Sequence, residues 1–361
     1  MRSTFKYLGW FLLLFALYIG LILLHGTLTD FQPEEEISLE AVHEPSQEAL
    51  TDSILSFTIW NVGYGGLGAE SNFFYDSGNL LLSNGKMIRP TRELVEKNVE
   101  GMRTVARSVQ SDFFLLQEVD RASRRSYYLD EFEAFGAELD GYGSWFAANY
   151  QAPRVPLPLL EPWRAYGKVH SGLATYSRVR PTGQTRIQLP GAFPWPTRIF
   201  QLDRCAAVLR FPHQNGRELV LINVHNSAYD KTGELKQQQM TYLRELFLRE
   251  YEAGHYVIVG GDWNQCPPYF DFDRFMPGRT QGYTQSNIEP DFLPDDWKWA
   301  YDPTLPSNRK VRDVYQKGTT FETLIDFFLV SPNVRVRQVK TINQEFQFSD
   351  HQPVWMEVEL L

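Results

Sequence analysis

The chain has 361 residues, of which 43% are hydrophobic, and its 35 basic and 44 acidic side chains give a formal net charge of −9. An apolar fraction of this size can form a large core, which excludes a disordered chain, a collagen-like repeat and a disulfide-stapled mini-protein. The negative net charge gives no general attraction to phosphate backbones, so it disfavours a dedicated nucleic-acid-binding protein and leaves a nuclease open.

An uncharged apolar run from Tyr7 to Leu24 stands near the N-terminus. At about 1.5 Å per helical residue its length approaches the ~30 Å hydrocarbon core of a membrane. Arg2 and Lys6 precede the run and acidic residues from Asp30 onward follow it, so the positive-inside rule places the N-terminus in the cytoplasm and the rest outside. The main alternative is a cleaved signal peptide, whose apolar region normally has about 7–15 residues before a small-residue cleavage site. We favour an uncleaved single-pass membrane anchor over residues 1–28, with a secreted protein if the segment is cleaved and a buried soluble helix least favoured.

Residues 29–53 form an acidic segment that includes Pro33 and Pro45 and has few aromatic side chains. This composition is typical of a solvated linker. Residues 54–361 contain neither an internal repeat nor a second linker. We therefore expect one domain over residues 54–361, near the upper size for a single core.

Short β-rich runs bounded by Gly, Pro, Asn and Asp recur through this domain and predict strands. The runs are Leu55–Asn61, Phe113–Gln117, Leu173–Tyr176, Ala206–Arg210, Leu219–Val224, Tyr256–Val259, Leu324–Val330 and Val354–Val358. Two stretches, Thr91–Val109 and Glu234–Tyr251, carry apolar residues at helical spacing and predict core-facing surface helices. Many strands with few helices indicate an α/β fold of packed sheets flanked by helices, rather than an alternating Rossmann pattern.

The two cysteines, Cys205 and Cys266, are far apart in the sequence and neither belongs to a CxxC pair. The sequence therefore gives no support for a zinc ribbon or a redox motif. We predict two buried structural thiols, with a single disulfide between them as the alternative.

Polar side chains follow several of the predicted strands at the point where each apolar run ends. They are Asn61, Glu118, His225 with Asn226, Asp262 with Asn264, and Ser349 with Asp350 and His351. A strand end is a rigid position from which to project a ligand or a base. Each residue alone is explained by a turn or a cap, but the recurrence indicates a common polar site.

The residue types favour one kind of chemistry. Glu118, Asp350 and the Asn61 amide offer hard oxygen ligands that suit Mg²⁺ or Mn²⁺, whereas two histidines without paired thiolates make a poor zinc site. His351 could act as a general acid or base near neutral pH if an acidic residue fixed its tautomer. Asp326 lies in an otherwise apolar strand and needs a partner there. An Asp326–His351 pair would satisfy both requirements.

An ordered set of short motifs resembles the endonuclease/exonuclease/phosphatase superfamily, which includes pancreatic-type deoxyribonucleases, apurinic endonucleases, inositol polyphosphate 5-phosphatases and neutral sphingomyelinases. The resemblance runs from about Phe57 to the C-terminus. One motif alone would be weak, because a strand followed by an Asx-turn also gives GDWN, but the whole set in family order is specific. The motifs are WN (Trp60-Asn61), LQE (Leu116–Glu118), SGLATYSR (Ser171–Arg178), NVH (Asn223–His225), GDWN (Gly261–Asn264), IDFFLVS (Ile325–Ser331) and SDH (Ser349–His351).

The resemblance implies a fold and a metal site. The expected fold is two mixed β-sheets packed face to face with helices outside, a four-layer α/β/β/α sandwich that agrees with the strand-rich pattern. Glu118 would be the principal Mg²⁺ ligand, with Asn61 and Asp350 close to the metal.

The resemblance also implies the catalytic roles. Asp262 would orient or deprotonate the attacking water, and Asn264 would hold that water and the phosphate. His225 would donate a hydrogen bond to a phosphoryl oxygen, and His351 would be the acid–base histidine oriented by Asp326. In-line attack on phosphorus needs a positioned water and neutralisation of the growing negative charge, which this set of groups can supply.

We therefore predict a membrane-anchored, extracytoplasmic, Mg²⁺-dependent phosphoesterase acting on a phosphodiester. A phospholipid-type, sphingomyelinase-like substrate ranks ahead of nucleic acid cleaved by a surface or secreted nuclease, and a phosphatase ranks third. A catalytically silent binding module is the alternative of a different class, and it predicts a damaged motif set. No protein partner is inferred.

Three surface features near the predicted site remain open. The segments Gln151–Trp163 and Leu189–Pro196 are rich in Pro, Trp and Leu and are expected to be loops that touch a lipid or hydrophobic substrate, or that only pack together. The basic run Arg121–Arg125 after Glu118 is expected to be a solvated loop, with a phosphate clamp as the alternative.

Overall fold

Fifteen strands and four α-helices make up the described part of the chain, residues 2–77, 80–228, 230, 232–276 and 286–361 of a computed structural model. The helices are α1 (Arg2–Leu28), α2 (Arg92–Ser108), α3 (Glu131–Gly136) and α4 (Glu234–Glu252). The strands are β1 (Glu36–Ser38), β2 (Ile54–Asn61), β3 (Phe113–Asp120), β4 (Gly143–Val155), β5 (Gly167–Ser177), β6 (Gly183–Gln188), β7 (Cys205–Pro212), β8 (Glu218–His225), β9 (Tyr256–Asp262), β10 (Lys298–Ala300), β11 (Asn308–Arg309), β12 (Glu322–Thr323), β13 (Asp326–Val330), β14 (Val334–Thr341) and β15 (Val354–Leu360). Short 3₁₀-helices cover Gly63–Gly65, Phe74–Ser77, Thr197–Phe200 and Phe272–Phe275.

Two mixed sheets form the centre of the fold. The seven-stranded sheet has the order β1-β6-β7-β8-β9-β13-β10, and the six-stranded sheet has the order β14-β15-β2-β3-β5-β4. Within each sheet one pair of neighbours is parallel, β8 with β9 and β2 with β3. Helices α2 and α3 cover the outer face of the six-stranded sheet, and α4 covers the outer face of the other. The predicted fold of packed mixed sheets flanked by helices is confirmed.

Apolar side chains fill both faces of the central strands. In β2, Phe57 and Ile59 point into the core between the sheets, while Trp60 packs with the helices outside. Successive side chains of a strand point to opposite faces, so a strand covered on both sides is apolar at almost every position. The predicted strands correspond to these central segments, and both predicted helices are present as α2 and α4.

The strands that sequence patterns miss lie mostly at sheet edges. β4 and β14 each end the six-stranded sheet. β14 exposes about every other residue, whereas β4 is mostly buried but carries small and polar residues, so neither forms a continuous apolar run. β4 also extends to Val155, into the segment that was expected to be a loop from Gln151 onward. The predicted pair of buried free thiols at Cys205 and Cys266 is confirmed.

Residues 29–53 do not form the solvated linker that their composition predicts. β1 pairs antiparallel with β6 at the edge of the seven-stranded sheet. Leu39 and Leu50 are buried in the core between the sheets. Single β-bridges add His43 to Ser144 and Gln47 to Val179. Backbone pairing and a few buried leucines therefore hold this acidic segment against the domain, and the division of the chain into domains stays a prediction.

Most of helix α1 is exposed rather than packed on the sheets. Its segment Phe5–Leu28 is the only helix in the described ranges that is long and apolar enough to cross a membrane, and its most apolar part is not buried against the protein. Length and composition alone support this membrane span.

The two sheets come close together at Gly260 of β9. A Cβ atom added there would lie 2.6 Å from Cγ2 of Ile59 in the opposite sheet and 2.7 Å from the ring of Phe328. Both neighbours are fully buried in the core. This position therefore has room only for glycine.

We predict that Gly260→Val lowers the free energy of unfolding by about 1–3 kcal/mol, because the added side chain overpacks the core between the sheets. Chemical denaturation followed by circular dichroism measures the change. Gly183→Ala is the matched control, since a Cβ there meets only the flexible Arg210 side chain, at 3.3 Å. Equal stability of the two variants would contradict the prediction.

Candidate active site

The predicted site residues lie together at one edge of the two sheets. β8 and β9 are parallel and end side by side, which pairs His225 with Asp262. β13 begins beside them in the opposite direction, so Asp326 pairs with Asp262. In the other sheet β2 ends at Asn61, and the loop that carries Asp350 leads into β15, the antiparallel neighbour of β2. The site therefore takes residues from both sheets.

Glu118 reaches the same edge because β3 is irregular there. The pairing of β3 with β5 shifts register between Leu116 and Val119, and Glu118 has a φ of +55°. A bulge of this kind redirects a side chain. From the opposite sheet, Nδ2 of Asn223 donates to the carbonyl oxygens of Leu116 (3.2 Å) and Ala174 (3.1 Å), which supports the interrupted ladder.

The Asn61 amide connects two carboxylates across the sheets. Its Nδ2 donates to Oε1 of Glu118 (3.2 Å) and to Oδ2 of Asp262 (3.0 Å), while its Oδ1 accepts from the backbone N–H of Gly63 (3.0 Å). The Gly63 contact fixes which side of the amide faces the carboxylates. In this arrangement Asn61 orients Glu118 and Asp262, and its role as a direct metal ligand stays a prediction.

Asp262 lies at the centre of the site between two imidazoles. Its Oδ2 is 3.5 Å from Nε2 of His225 and 3.7 Å from Nε2 of His351, and its Oδ1 accepts from the N–H of Asn264 (2.9 Å). Asn264 itself has a φ of +52°, and its Nδ2 donates to the carbonyl oxygen of Asn226 (2.9 Å). Burial lowers the pKa of His225 well below its usual value, with Arg204 adding to the effect, so this imidazole is neutral.

His351 and Asp326 form a buried pair. Nδ1 of His351 is 2.8 Å and 3.0 Å from the two oxygens of Asp326, one of which also accepts from Oγ of Ser307 (2.7 Å). Burial opposes the charged imidazolium, but the carboxylates of Asp326, Asp350 and Asp262 outweigh burial and raise the pKa of His351. The pair predicted from the sequence is therefore present in the structure, with the imidazole held in one orientation.

The donor groups at the site fit a hard divalent cation. Burial raises the pKa of Asp350 to about 7, with the Glu118 carboxylate adding to the increase and His351 opposing it. Carboxylates brought this close repel one another, and a divalent cation held by their oxygens would remove that repulsion. Ligand atoms of Asp262, Asp326 and His351 also lie within 4.8 Å of one another. In that buried acidic and histidine cluster the imidazole already bonds to Asp326, and the role of Glu118 and Asp350 as metal ligands stays a prediction.

The model of the Endonuclease/Exonuclease/phosphatase family matches residues 60–351, a range that includes every residue of this site. The chain belongs to the endonuclease/exonuclease/phosphatase family. No curated protein matches the chain by sequence at a significant level.

Solved structures of the endonuclease/exonuclease/phosphatase family share the fold at low sequence identity. A family member from Beutenbergia cavernae is 16% identical with a TM-score of 0.54, and the match covers 85% of this chain and 72% of that one. The human nocturnin catalytic domain with bound sulfate is 17% identical with a TM-score of 0.50, covering 90% and 97%. ANGEL2, a 2′,3′-cyclic phosphatase, is 12% identical with a TM-score of 0.52, covering 91% and 99%. At these identities the likeness establishes the fold alone.

Several residues of this family member's site were missed by sequence reasoning. Ser307 bonds to Asp326, and Nδ2 of Asn308 lies 2.9 Å from Nε2 of His351. Nζ of Lys236 donates to the carbonyl oxygen of Asn264 (3.3 Å). Ser307 lies in a loop, Asn308 begins the two-residue strand β11 and Lys236 lies at the start of α4, so no sequence signal distinguishes them.

Arg125 is neither part of a solvated loop nor a phosphate clamp. Its guanidinium is buried, donates to both oxygens of Asp120 and bonds to the Tyr166 hydroxyl (2.8 Å). It also lies 3.8 Å from the centroid of the Tyr64 ring. The Asp120 carboxylate is thus occupied by an internal ion pair with Arg125, and this pair supports the wall of the site.

A cavity of about 750 Å³ opens at the predicted site residues of this family member. Its floor contains Glu118, His225, Asp262, Asn264, Asp350 and His351. Basic side chains in the lining include Arg204, Lys236 and Lys310, besides the buried Arg125 and Arg309. The aromatic residues that line the remaining wall are Tyr64, Phe73, Phe74, Tyr75, Tyr150, Tyr166, Phe193 and Phe200. The cavity therefore suits an anionic group attached to an apolar or planar one.

We predict that Arg125→Met destabilises the protein by about 3–5 kcal/mol, because the Asp120 carboxylate would remain buried without its partner. Urea denaturation measures the loss. Arg124→Met is the matched control, since Arg124 is partly exposed and its substitution is expected to change stability by about 0.5 kcal/mol or less. If Arg125 were solvated, the two substitutions would change the stability by the same small amount.

Proposed function

We propose that this protein is a divalent-metal-dependent phosphodiesterase that cleaves its substrate by in-line attack of water. The observation that carries the proposal is the position of Asp262, between the imidazoles of His225 and His351 and beside the oxygen donors Glu118 and Asp350. A proton acceptor, two hydrogen-bond donors and a set of hard ligands converge on one cavity. Phosphoryl transfer to water requires these functional groups.

The residues divide the work of the reaction. Asp262 accepts a hydrogen bond from the attacking water and takes its proton, while the Asn264 amide holds the water and the phosphate in place. Neutral His225 donates a hydrogen bond from Nε2 to a phosphoryl oxygen. His351, kept charged by its carboxylate neighbours, neutralises negative charge on the phosphate or protonates the leaving oxygen.

Glu118 and Asp350 would hold a magnesium or manganese ion, with Asn61 orienting the Glu118 carboxylate. When bound, the ion supplies charge neutralisation at the phosphoryl oxygens. The complete set of catalytic-type residues disfavours a silent binding module, which has no need to retain an ordered Asp326–His351 pair.

We place the enzyme on a membrane, with α1 as a single-pass anchor and the catalytic domain outside the cytoplasm. The apolar length of α1 and the basic residues Arg2 and Lys6 before it support this topology. A phospholipid-type phosphodiester, sphingomyelinase-like in chemistry, is the preferred substrate because the cavity joins basic groups to an aromatic wall. A nuclease is the second candidate, since the same aromatic rings could stack on bases.

We predict that Asp262→Asn and His351→Ala each lower the turnover of bis(4-nitrophenyl) phosphate by the full-length protein at least ~100-fold with Mg²⁺ present, because each removes a proton-transfer group. Asp295→Asn, on the exposed surface, is the matched control for the carboxylate change. Supercoiled DNA and phospholipid vesicles assayed in parallel separate the two substrate classes. Full activity in both variants would rule out the mechanism.

We predict that Glu118→Gln weakens binding of Mn²⁺ at least ~10-fold, because a metal ligand loses its charge. Isothermal titration calorimetry on the folded protein measures the affinity without any substrate. Glu357→Gln is the matched control, since Glu357 lies on β15 away from the site and pairs with Arg337 of β14. Unchanged Mn²⁺ affinity in Glu118→Gln would contradict this assignment of the ligand.

A further inference from the structure

The C-terminal end of α1 is attached to the catalytic domain. A Cβ atom added at Gly26 would lie 2.9 Å from Cδ1 of Ile199 and 3.2 Å from the ring of Phe200, so the helix lies directly on the 3₁₀-helix Thr197–Phe200. Nε1 of Trp195 donates to Oγ1 of Thr27 (3.1 Å). Just beyond the helix, Asp30 lies 3.6 Å from the guanidinium of Arg198. The anchor therefore passes into the domain without a free tether.

The segment that receives α1 is also part of the wall of the catalytic cavity. Phe193, Phe200 and Leu202 line the cavity, and the carbonyl oxygen of Phe200 accepts from the hydroxyl of Tyr150, another lining residue (2.9 Å). The helix end and the cavity wall are thus two sides of one short segment. The solvent or lipid that surrounds the end of α1 therefore also lies next to the cavity.

Exposed apolar side chains occur on the loops around the same cavity. Trp195 is 55% exposed beside the end of α1. In the loop after β4, Trp163 is 71% and Leu160 is 44% exposed, and the N–H of Leu160 donates to the carbonyl oxygen of Leu81, whose side chain is 51% exposed. Leu157, in the same loop, lines the cavity. We call Leu81, Leu160, Trp163 and Trp195 the apolar rim.

Exposure of an apolar rim of this kind to water is unfavourable. Large exposed side chains on neighbouring loops are typical of a surface that meets a partner, and tryptophan prefers the boundary between water and hydrocarbon. The position of the rim identifies this partner as a membrane. α1 is the helix of the described ranges that is apolar enough to cross one, and it ends against Trp195. A bilayer crossed by α1 would begin where the rim is.

We propose that the end of α1 holds the mouth of the catalytic cavity against the bilayer that α1 crosses, with the apolar rim in the interfacial layer, so that the enzyme takes its phosphoester from an amphiphile of that same membrane. This inference rests on the proposed membrane-anchored phosphodiesterase and names the source of its substrate. The basic and catalytic groups of the cavity would meet the headgroup phosphate, and the aromatic wall would contact the adjoining apolar part.

The contact of the rim with lipid can be measured without turnover. The full-length protein carrying Leu160→Cys is labelled with an environment-sensitive thiol dye and reconstituted in phosphatidylcholine vesicles containing brominated phosphatidylcholine. Cys205 and Cys266 are buried and shielded from the reagent. Leu361→Cys is the control, because β15 pairs Glu359 with Ile54, at the opposite end of β2 from Asn61. We expect at least twofold quenching at position 160 and none at position 361, and absence of quenching at position 160 would overturn the proposal.

Attachment of the helix is tested with two glycines of α1. Gly26→Leu inserts a side chain where Ile199 and Phe200 leave no space, whereas Gly20→Leu is the matched control because a Cβ there meets nothing within 4 Å. We expect Gly26→Leu to reduce the quenching at position 160 at least twofold and Gly20→Leu to leave it unchanged. Equal quenching in the two variants would overturn the role of the helix end.

Turnover separates this inference from the proposed function. The same vesicles, containing sphingomyelin and phosphatidylcholine, are assayed with Mg²⁺ for headgroup release, and bis(4-nitrophenyl) phosphate is assayed in the surrounding solution. We expect Gly26→Leu to lower lipid cleavage at least fivefold and to leave cleavage of the soluble diester unchanged. Cleavage of the soluble diester with intact vesicle lipid would overturn the membrane source of the substrate. Failure of the parent protein on both substrates counts against the proposed phosphodiesterase, whereas the quenching result still decides whether the rim meets the bilayer.

Discussion

Repulsion between carboxylates is the constraint on which the site depends. Glu118, Asp262 and Asp350 line one cavity, with Asp326 buried beside them. Two like charges 4 Å apart repel by about 4 kcal/mol at an effective dielectric constant of ~20, so such a cluster forms only where other groups offset the repulsion. In this protein the Asn61 amide, the Ser307 hydroxyl and the His351 imidazole donate to these carboxylates, and a divalent cation would complete the compensation.

Those compensating groups come from different layers of the fold. Asn61 belongs to one sheet and Asp262 to the other, so their hydrogen bond forms only when the sheets are packed in register. Asn223 holds the bulge that directs Glu118, again from the opposite sheet. The tight contact at Gly260, two residues before Asp262 in β9, limits the separation between the sheets there. The geometry of the site is therefore a product of sheet packing more than of loop conformation, and this explains how a rigid arrangement of like charges is maintained.

The central strands and the main site residues can be predicted from the sequence, because both leave local patterns in it. A strand covered on two faces is apolar at almost every position, as in Leu219–Val224, and a polar residue directly after it, such as His225, is conspicuous. Edge strands such as β14 leave no such signal, because their exposed positions are polar. Ser307 and Asn308 are recognised only through their contacts with Asp326 and His351, which lie far along the chain. For Arg125 and for residues 29–53, charge predicts solvent exposure, whereas a buried partner in Asp120 and pairing with β6 keep both against the domain.

The pairing of β1 with β6 determines what lies at one edge of the seven-stranded sheet. A sheet whose last strand has unpaired N–H and C=O groups is open to pairing with another chain. As a three-residue last strand, β1 leaves few such groups at one edge of the seven-stranded sheet, and it lies beyond the end of α1. A cut just after Leu28 would therefore release a domain that keeps its edge strand, so removal of α1 leaves that protection against aggregation in place.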